Sequence, residues 1–414
     1  MRLQSFAGII VFLAIAWAFS EKRRGVRPKT IVAGVALQFV IAAILLYFPV
    51  FRKTLFPALN GIVLALDAAT RAGTSFVFGY LGGGQSPFNV QDAGSSFILA
   101  FQALPLVLVI GALSALLFYW KILPYVVRFF SFLLQKSMNV GGALGLGAST
   151  TIFLGMVEAP LVIKPYLNRM SRSELFSLMT VGMTCIAGTV MILYATILAN
   201  VIPDPLGNIL VASFIHVAAA ITIARIIVPE SGEETAGSLM PERTASSSMD
   251  AIAQGTFDGL RLLLNIIAML VVMVALVELA NVILKLAPAV GGEPLTLQRL
   301  LGFIMAPVVW LFGIPWSEAQ TAGSLMGTKT ILNELLAFLQ MAGLPEGALD
   351  PRSRMIMIYA LTSFANFGSL GILIGGLGSL APERRDEVVS LGMKALLAGT
   401  LATCMSGAVI GALV

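Results

Sequence analysis

Gly147-Ala-Ser-Thr-Thr-Ile-Phe-Leu-Gly-Met-Val-Glu-Ala-Pro160 runs from a small-residue apolar helix straight into a turn holding a carboxylate and a proline. About 175 residues later, Ala322-Gly-Ser-Leu-Met-Gly-Thr-Lys-Thr-Ile-Leu-Asn-Glu334 has the same build. Aligning Gly155 with Gly327 gives an offset of 172. The segments C-terminal to the two stretches are also alike. Arg172-Ser173 opens an apolar segment interrupted at Gly188-Thr189, and Arg352-Ser353 opens one interrupted at Gly368-Ser369, an offset of 180 in both places. Interrupted apolar segments at matching positions of two halves are the sequence mark of a secondary transporter's binding site.

Composition agrees. Hydrophobic residues make up 58% of the 414 and charged residues 11%, against roughly 45–50% and about 25% in soluble domains. A soluble chain of this length could not cover that much apolar surface; a bilayer removes the need. The formal net charge of +5 therefore points to orientation in a membrane rather than to nucleic acid, because cytoplasmic loops collect Lys and Arg. The two cysteines, Cys185 and Cys404, sit in apolar runs and imply no disulfide framework.

Seven runs are long enough, at about 20 residues, to span the hydrocarbon core: Thr30–Phe48, Phe97–Trp120, Leu175–Ile197, Ile209–Val228, Leu262–Leu284, Met355–Leu380 and Val388–Val414. Phe6–Phe19 is shorter. The basic cluster Lys22 to Lys29 comes after it instead of before it, so it reads as a first helix and not as a signal peptide. Leu55–Gly79 places Asn60, Asp67, Arg71 and Thr74 near one stripe, the pattern of a helix lying in the interface. The fold class expected is an all-α membrane protein of about eight transmembrane helices, two re-entrant hairpins in inverted repeats and one amphipathic interfacial helix. Its divisions are 1–95 for the first helices and 96–228 for the first repeat, with a hairpin near 138–168 and a broken helix near 174–198. A cytoplasmic linker takes 229–250. The second repeat is 251–387, with a hairpin near 300–342 and a broken helix near 353–380. A closing scaffold helix takes 388–414. Basic residues at 22–29, 164–172 and 384–385 set one side as cytoplasmic, which leaves the C-terminus outside.

Glu158, Lys329 and Glu334 stand at depths where a charge costs about 2.5–3.5 kcal/mol or more. Such residues face a cavity or a partner; a Lys329–Glu334 ion pair is the plain structural alternative. The stretch around Gly155 is too short to cross, return and cross again, so a hairpin re-entering from the basic side is the economical solution. Asn366 and Ser369, three apart beside Gly368 and Gly371, share one helical face. Gly323–Thr330 resembles a phosphate loop but has three residues, not four, between its glycines. His216, the single histidine, reads as packed or interfacial, with a proton relay as the sharper alternative. No nucleophile–base pair or metal cluster is visible, which speaks against an enzyme. A channel would line its pore with rings of one residue type, whereas these signals converge on two repeats.

The segments 155–161 (Gly-Met-Val-Glu-Ala-Pro-Leu), 327–334 (Gly-Thr-Lys-Thr-Ile-Leu-Asn-Glu), 364–371 (Phe-Ala-Asn-Phe-Gly-Ser-Leu-Gly) and 375–385 (Gly-Gly-Leu-Gly-Ser-Leu-Ala-Pro-Glu-Arg-Arg) together resemble the concentrative nucleoside transporter family. The resemblance covers nearly the whole chain in order. It implies a homotrimer in the bacterial inner membrane that carries a nucleoside inward on an ion gradient by an elevator-like movement, without a cofactor. Carried over position by position, Glu334, Asn366 and Ser369 match the residues that hold ribose hydroxyls, with Asn333 beside them. Glu158, Val190 and Phe364 match those around the base.

The departures matter as much. Where relatives place Gln and then Thr, Ser or Asn before that glutamate, this chain has Met156 and Val157, which offer no comparable hydrogen bonds. Sodium-coupled relatives use an Asn side chain at Thr151 and a Ser at Cys185, with carbonyls at Leu154 and Ile186. Sodium prefers hard oxygen ligands, and a thiol is a poor substitute. The expectation is therefore coupling to H+, with Glu158 or Glu334 as carrier and Na+ as the alternative cation.

Overall fold

The computed structural model describes residues 1–88, 97–156, 158–232, 235, 245–289, 292 and 294–414. Among them every regular element is helical. Three helices come first: α1 (Arg2–Ala18), α2 (Pro28–Tyr47) and α3 (Phe56–Phe78). Two sets with one plan come after them. In the first, the short α4 (Leu99–Gln102) leads into α5 (Leu106–Tyr119) and α6 (Ile122–Met138). A hairpin comes next, made of α7 (Gly142–Thr151), α8 (Glu158–Val162) and α9 (Lys164–Leu167). A helix broken into α10 (Arg172–Thr184) and α11 (Gly188–Ile197) leads to α12 (Pro205–Ile227). The second set repeats this as α13 (Ser248–Leu284), α14 (Leu297–Trp310), the hairpin α15 (Trp316–Ile331) with α16 (Glu334–Ala342), the broken pair α17 (Pro351–Leu361) and α18 (Phe367–Leu380), and α19 (Arg385–Leu413).

The breaks are written locally. Ser171 caps α10 through a full capping box with Glu174, and Asp350 caps α17 with Pro351 behind it. Asn333 and Asn366 cap α16 and α18, accepting from the backbone N–H groups of Leu336 and Ser369. Each cap supplies an acceptor to one of the first N–H groups of a helix, which has no intrahelical partner. Where α16 and α18 restart after a break, the cap lowers the cost of the unpaired donors by one.

The core lies on α12 and α19, which are almost wholly buried and pack on each other and on α10 and α17. At the other extreme, α13 is the longest helix and among the most exposed. It lies along α5, where Gly111 meets Gly255; a Cβ on either would strike the backbone carbonyl of the other. Small residues that let backbones approach are how helices associate in lipid.

Several details differ from the sequence reading. The second hairpin spans 316–342, and α14 before it is a separate helix rather than its first arm. The register of the repeats also moves. Gly155 lies in the unwound turn between α7 and α8, but Gly327 is inside α15. The equivalent residues are Glu158 and Glu334, which open α8 and α16 and stand 176 apart. The run Phe97–Trp120 is broken at Ala103–Pro105. The amphipathic α6 is a further element ahead of the first hairpin, with no counterpart among the expected spans. The 53–82 stretch is long and apolar enough to cross, yet α3 keeps its polar stripe: Arg71 pairs with Asp67 at 2.9 Å, and Asn60 donates to Asp204 at 3.0 Å. Of the linker expected at 229–250, residues 233–234 and 236–244 lie outside the described ones, as do 89–95 of the first division, 1–95.

Candidate functional site

Three polar side chains from three elements meet around Glu334. The tip of the second hairpin places Glu334 at the start of α16 with 4% of its surface exposed. One carboxylate oxygen accepts from the Tyr194 hydroxyl on α11 at 2.6 Å. The other accepts from the Asn366 side-chain N–H at 3.1 Å. Tyr194 and Asn366 are each 2% exposed. The orientation of Asn366 is fixed by its other end, since its carbonyl oxygen caps Ser369 at 2.8 Å and its NH2 is then left for the carboxylate. Ser369 is buried one turn along, Asn333 caps α16, and Phe364 is half-buried just before the break. Buried polar atoms with this degree of mutual satisfaction hold a unique geometry.

Tyr194 is absent from the sequence-based site. The sequence held only a weak pointer to it, its place four residues after Val190 on the same face of α11; in the structure its ring packs 5.1 Å from Phe338, four residues after Glu334. Val190 and Met156 are buried apolar residues, Met156 lying against Gly182 of α10. Val157 and the side chain of Glu158, expected at the base, lie outside the described residues.

The tip of the first hairpin reaches the other break. Gly188 donates its N–H to the Phe153 carbonyl at 3.2 Å, and the approach leaves no room for a Cβ at Gly188. Thr151, Leu154, Cys185 and Ile186 are thereby brought to one region. Of their side chains, only the Cys185 thiol is a poor sodium ligand. The Thr151 hydroxyl donates to Gly147 O at 2.9 Å, and the Cys185 thiol faces Ser213 O on α12 at 3.9 Å. Among the described residues no group of three or more His, Cys, Asp or Glu could hold a metal.

The ion pair weighed for Lys329 and Glu334 does not form. Lys329 is fully buried and points its ammonium at the Thr403 hydroxyl, 3.5 Å away. His216 is packed as expected, its Nε2 3.0 Å from the Tyr359 carbonyl.

The chain is similar to known proteins along nearly its whole length. Profiles described as the Na+ dependent nucleoside transporter N-terminus and C-terminus match residues 7–81 and 208–411, and one described as nucleoside recognition matches 100–201. The nucleoside permease NupC of Helicobacter pylori is 35% identical, over 99% of this chain and 97% of its own. The solved structure of CNTnw in an inward-facing, substrate-bound state is similar with a TM-score of 0.91 at 32% identity, covering 100% of this chain and 98% of that one. A variant of CNTnw in an outward-facing state gives 0.90 at 32%, covering 99% and 97%.

Proposed function

We propose, from the premise that this chain belongs to the family of sodium-dependent nucleoside transporters, that it imports nucleosides by proton symport. Its membership makes it a multi-pass transporter of the bacterial inner membrane and not an enzyme. The observation that carries the sugar half of the proposal is Glu334 held between Tyr194 and Asn366. A ribose presents vicinal hydroxyls, each both donor and acceptor. A buried carboxylate with spare lone pairs, beside an amide and a serine, answers that pattern. Asn333 and Ser369 complete the sugar side; Glu158, Val190, Phe364 and the apolar Met156 and Val157 form the side facing the base. Fewer hydrogen bonds to the base mean weaker discrimination among nucleosides.

The movement we infer is an elevator-like passage of the two hairpins and two broken helices between faces, within a homotrimer. It is supported by the likeness to CNTnw in both inward- and outward-facing states. The proton reading is supported by Cys185, whose thiol, a poor ligand for a hard cation, stands beside the first hairpin tip. A second reading keeps sodium: the tip contact between Phe153 and Gly188 gathers backbone carbonyls that, with Thr151 and a water, would suit a weakly held cation.

Uptake of labelled uridine into proteoliposomes, with sodium replaced by choline at fixed pH, separates the two. Accumulation should persist in choline and collapse with an uncoupler. Accumulation that needs sodium and survives the uncoupler would make the altered site a sodium site. Uptake that fails to saturate would instead indicate a channel.

A further inference from the structure

The hydrogen bonds at Glu334 differ in kind. Asn366 can only donate through its NH2, because its oxygen is engaged with the Ser369 N–H. Tyr194 carries a phenol, which can donate or accept. An ionised Glu334 uses both as donors, across 2.6 Å to Tyr194 and 3.1 Å to Asn366. A neutral Glu334 would need an acceptor for its own O–H, and the Asn366 end cannot provide one. Of these two side chains only Tyr194 can receive that proton, with the phenolic hydrogen turned away and the phenolic oxygen accepting.

We propose that Tyr194 is the positioning residue that lets the buried Glu334 take up and release the coupling proton. The inference rests on the proton-symport reading above and deepens it by choosing Glu334 over Glu158 as carrier. The step is a simple transfer. A hydronium ion gives up one O–H bond and leaves as water, its proton forms the O–H bond on the Glu334 oxygen, and the hydrogen bond to Tyr194 reverses direction. The charged and titratable groups facing Glu334 are Tyr194 from α11 and Lys329 from α15; Tyr359 on α17 gives its hydroxyl to Asn208 at 3.2 Å. Lys329 does not bond to the carboxylate, so the neutral and charged forms are distinguished locally by one rotor. An unsatisfied buried donor or acceptor is costly. Tyr194 meets the Glu334 oxygen in both charge states, as donor to the carboxylate and as acceptor from the acid, which a residue able only to donate could not do.

The test uses the full-length protein in proteoliposomes without sodium. Tyr194→Phe keeps the ring against Phe338 but removes the rotor. It should weaken nucleoside binding by calorimetry, because Glu334 loses a hydrogen-bond partner, so exchange of labelled for unlabelled nucleoside at saturating concentration serves as each variant's own reference. Accumulation driven by a pH gradient should fall at least tenfold, with its pH profile flattened. Tyr194→Gln, which restores a donor and an acceptor, should recover part of the pH profile. Wild-type-like proton-driven accumulation in Tyr194→Phe overturns the role of Tyr194 while leaving proton symport standing. A wild type that ignores protons overturns both. Should Tyr194→Phe fail to fold, infrared difference spectra of the wild type on acidification decide. A carboxylic-acid band and a tyrosine band should rise together and both vanish in Glu334→Gln. A Glu334 band without tyrosine change, or no Glu334 band, overturns the proposal.

Discussion

At the scale of single residues, the site depends on groups that are costly to bury alone. Glu334 and Asn366 are at most 4% exposed, so each survives only because the other and Tyr194 complete its hydrogen bonds. If they hold ribose, Glu334→Ala or Asn366→Ala should weaken nucleoside affinity about tenfold or more, since losing a partner to a buried polar or charged group costs roughly 1–3 kcal/mol. Calorimetry on folded protein checks this; unchanged affinity in both variants would sink the nucleoside site. Glu334 and Asn366 were legible because a charge and an amide stand out in an apolar run. Tyr194 was not. An aromatic in an apolar helix has an ordinary packing reading, and only the approach of a carboxylate from a helix 140 positions away gives its hydroxyl a task.

At the scale of elements, the breaks were legible and their register was not. Gly188 marks one break because its N–H and bare Cα sit against the Phe153 carbonyl. A methyl there would force the hairpin tip away from α11. Overpacking of this kind costs about 1–3 kcal/mol, so Gly188→Ala should lower the unfolding temperature and reduce uptake. Gly371→Ala on α18, where a Cβ meets open space, is the control and should be neutral or slightly stabilising. Equal behaviour of the two variants in thermal unfolding would remove the contact as an explanation. The shift in repeat register has a related cause. Glycines tempt an alignment, yet Gly327 sits inside α15 against Leu301 of α14, a packing role a sequence cannot separate from a turn. Caps are the surer guide, because Asn333 and Asn366 each answer a helix's unpaired N–H groups.

At the scale of the whole molecule, the basic residues that set orientation also tie distant segments together. Glu21, between α1 and α2, receives Arg172 of α10 at 2.9 Å and Lys394 of α19 at 2.6 Å. Arg172 also approaches Glu387 at 3.5 Å, and Arg384 reaches the carbonyls of Leu167 and Met170. The Arg172 hydrogen bond, with help from Lys394, holds the Glu21 carboxyl down at about 2, from 4.5. A carboxylate depressed on folding adds stability that is present above the unfolded value and lost as pH falls through the folded one. Glu21→Gln should therefore unfold more easily than wild type at pH 7, by about 0.2–1 kcal/mol for a solvated pair. The difference should close between pH 4.5 and about 2. Thermal unfolding in detergent across that range is the measurement, and a difference that does not change with pH would assign it to something other than this ion pair.

The sequence by itself determined that the chain is helical and membrane-spanning, that it has two halves of one plan, and that each half holds a broken helix. Those properties have local causes: apolar run length against bilayer thickness, caps and prolines against helix continuity, and the cost of an intramembrane charge. It also carried the four segments that resemble one transporter family. The partner of each buried polar group was decided by the tertiary structure alone. Lys329 and Glu334 are five apart on either side of a turn, the spacing that suggested an ion pair, yet the unwound Leu332 and Asn333 swing them onto different helices. Lys329 then meets Thr403, and Glu334 meets Tyr194 and Asn366. Hydrogen bonds act over about 3 Å, whereas the sequence separations they bridge here run from 32 to 140 residues. No local pattern encodes that convergence; it exists only once the hairpin has packed against the broken helices and α19.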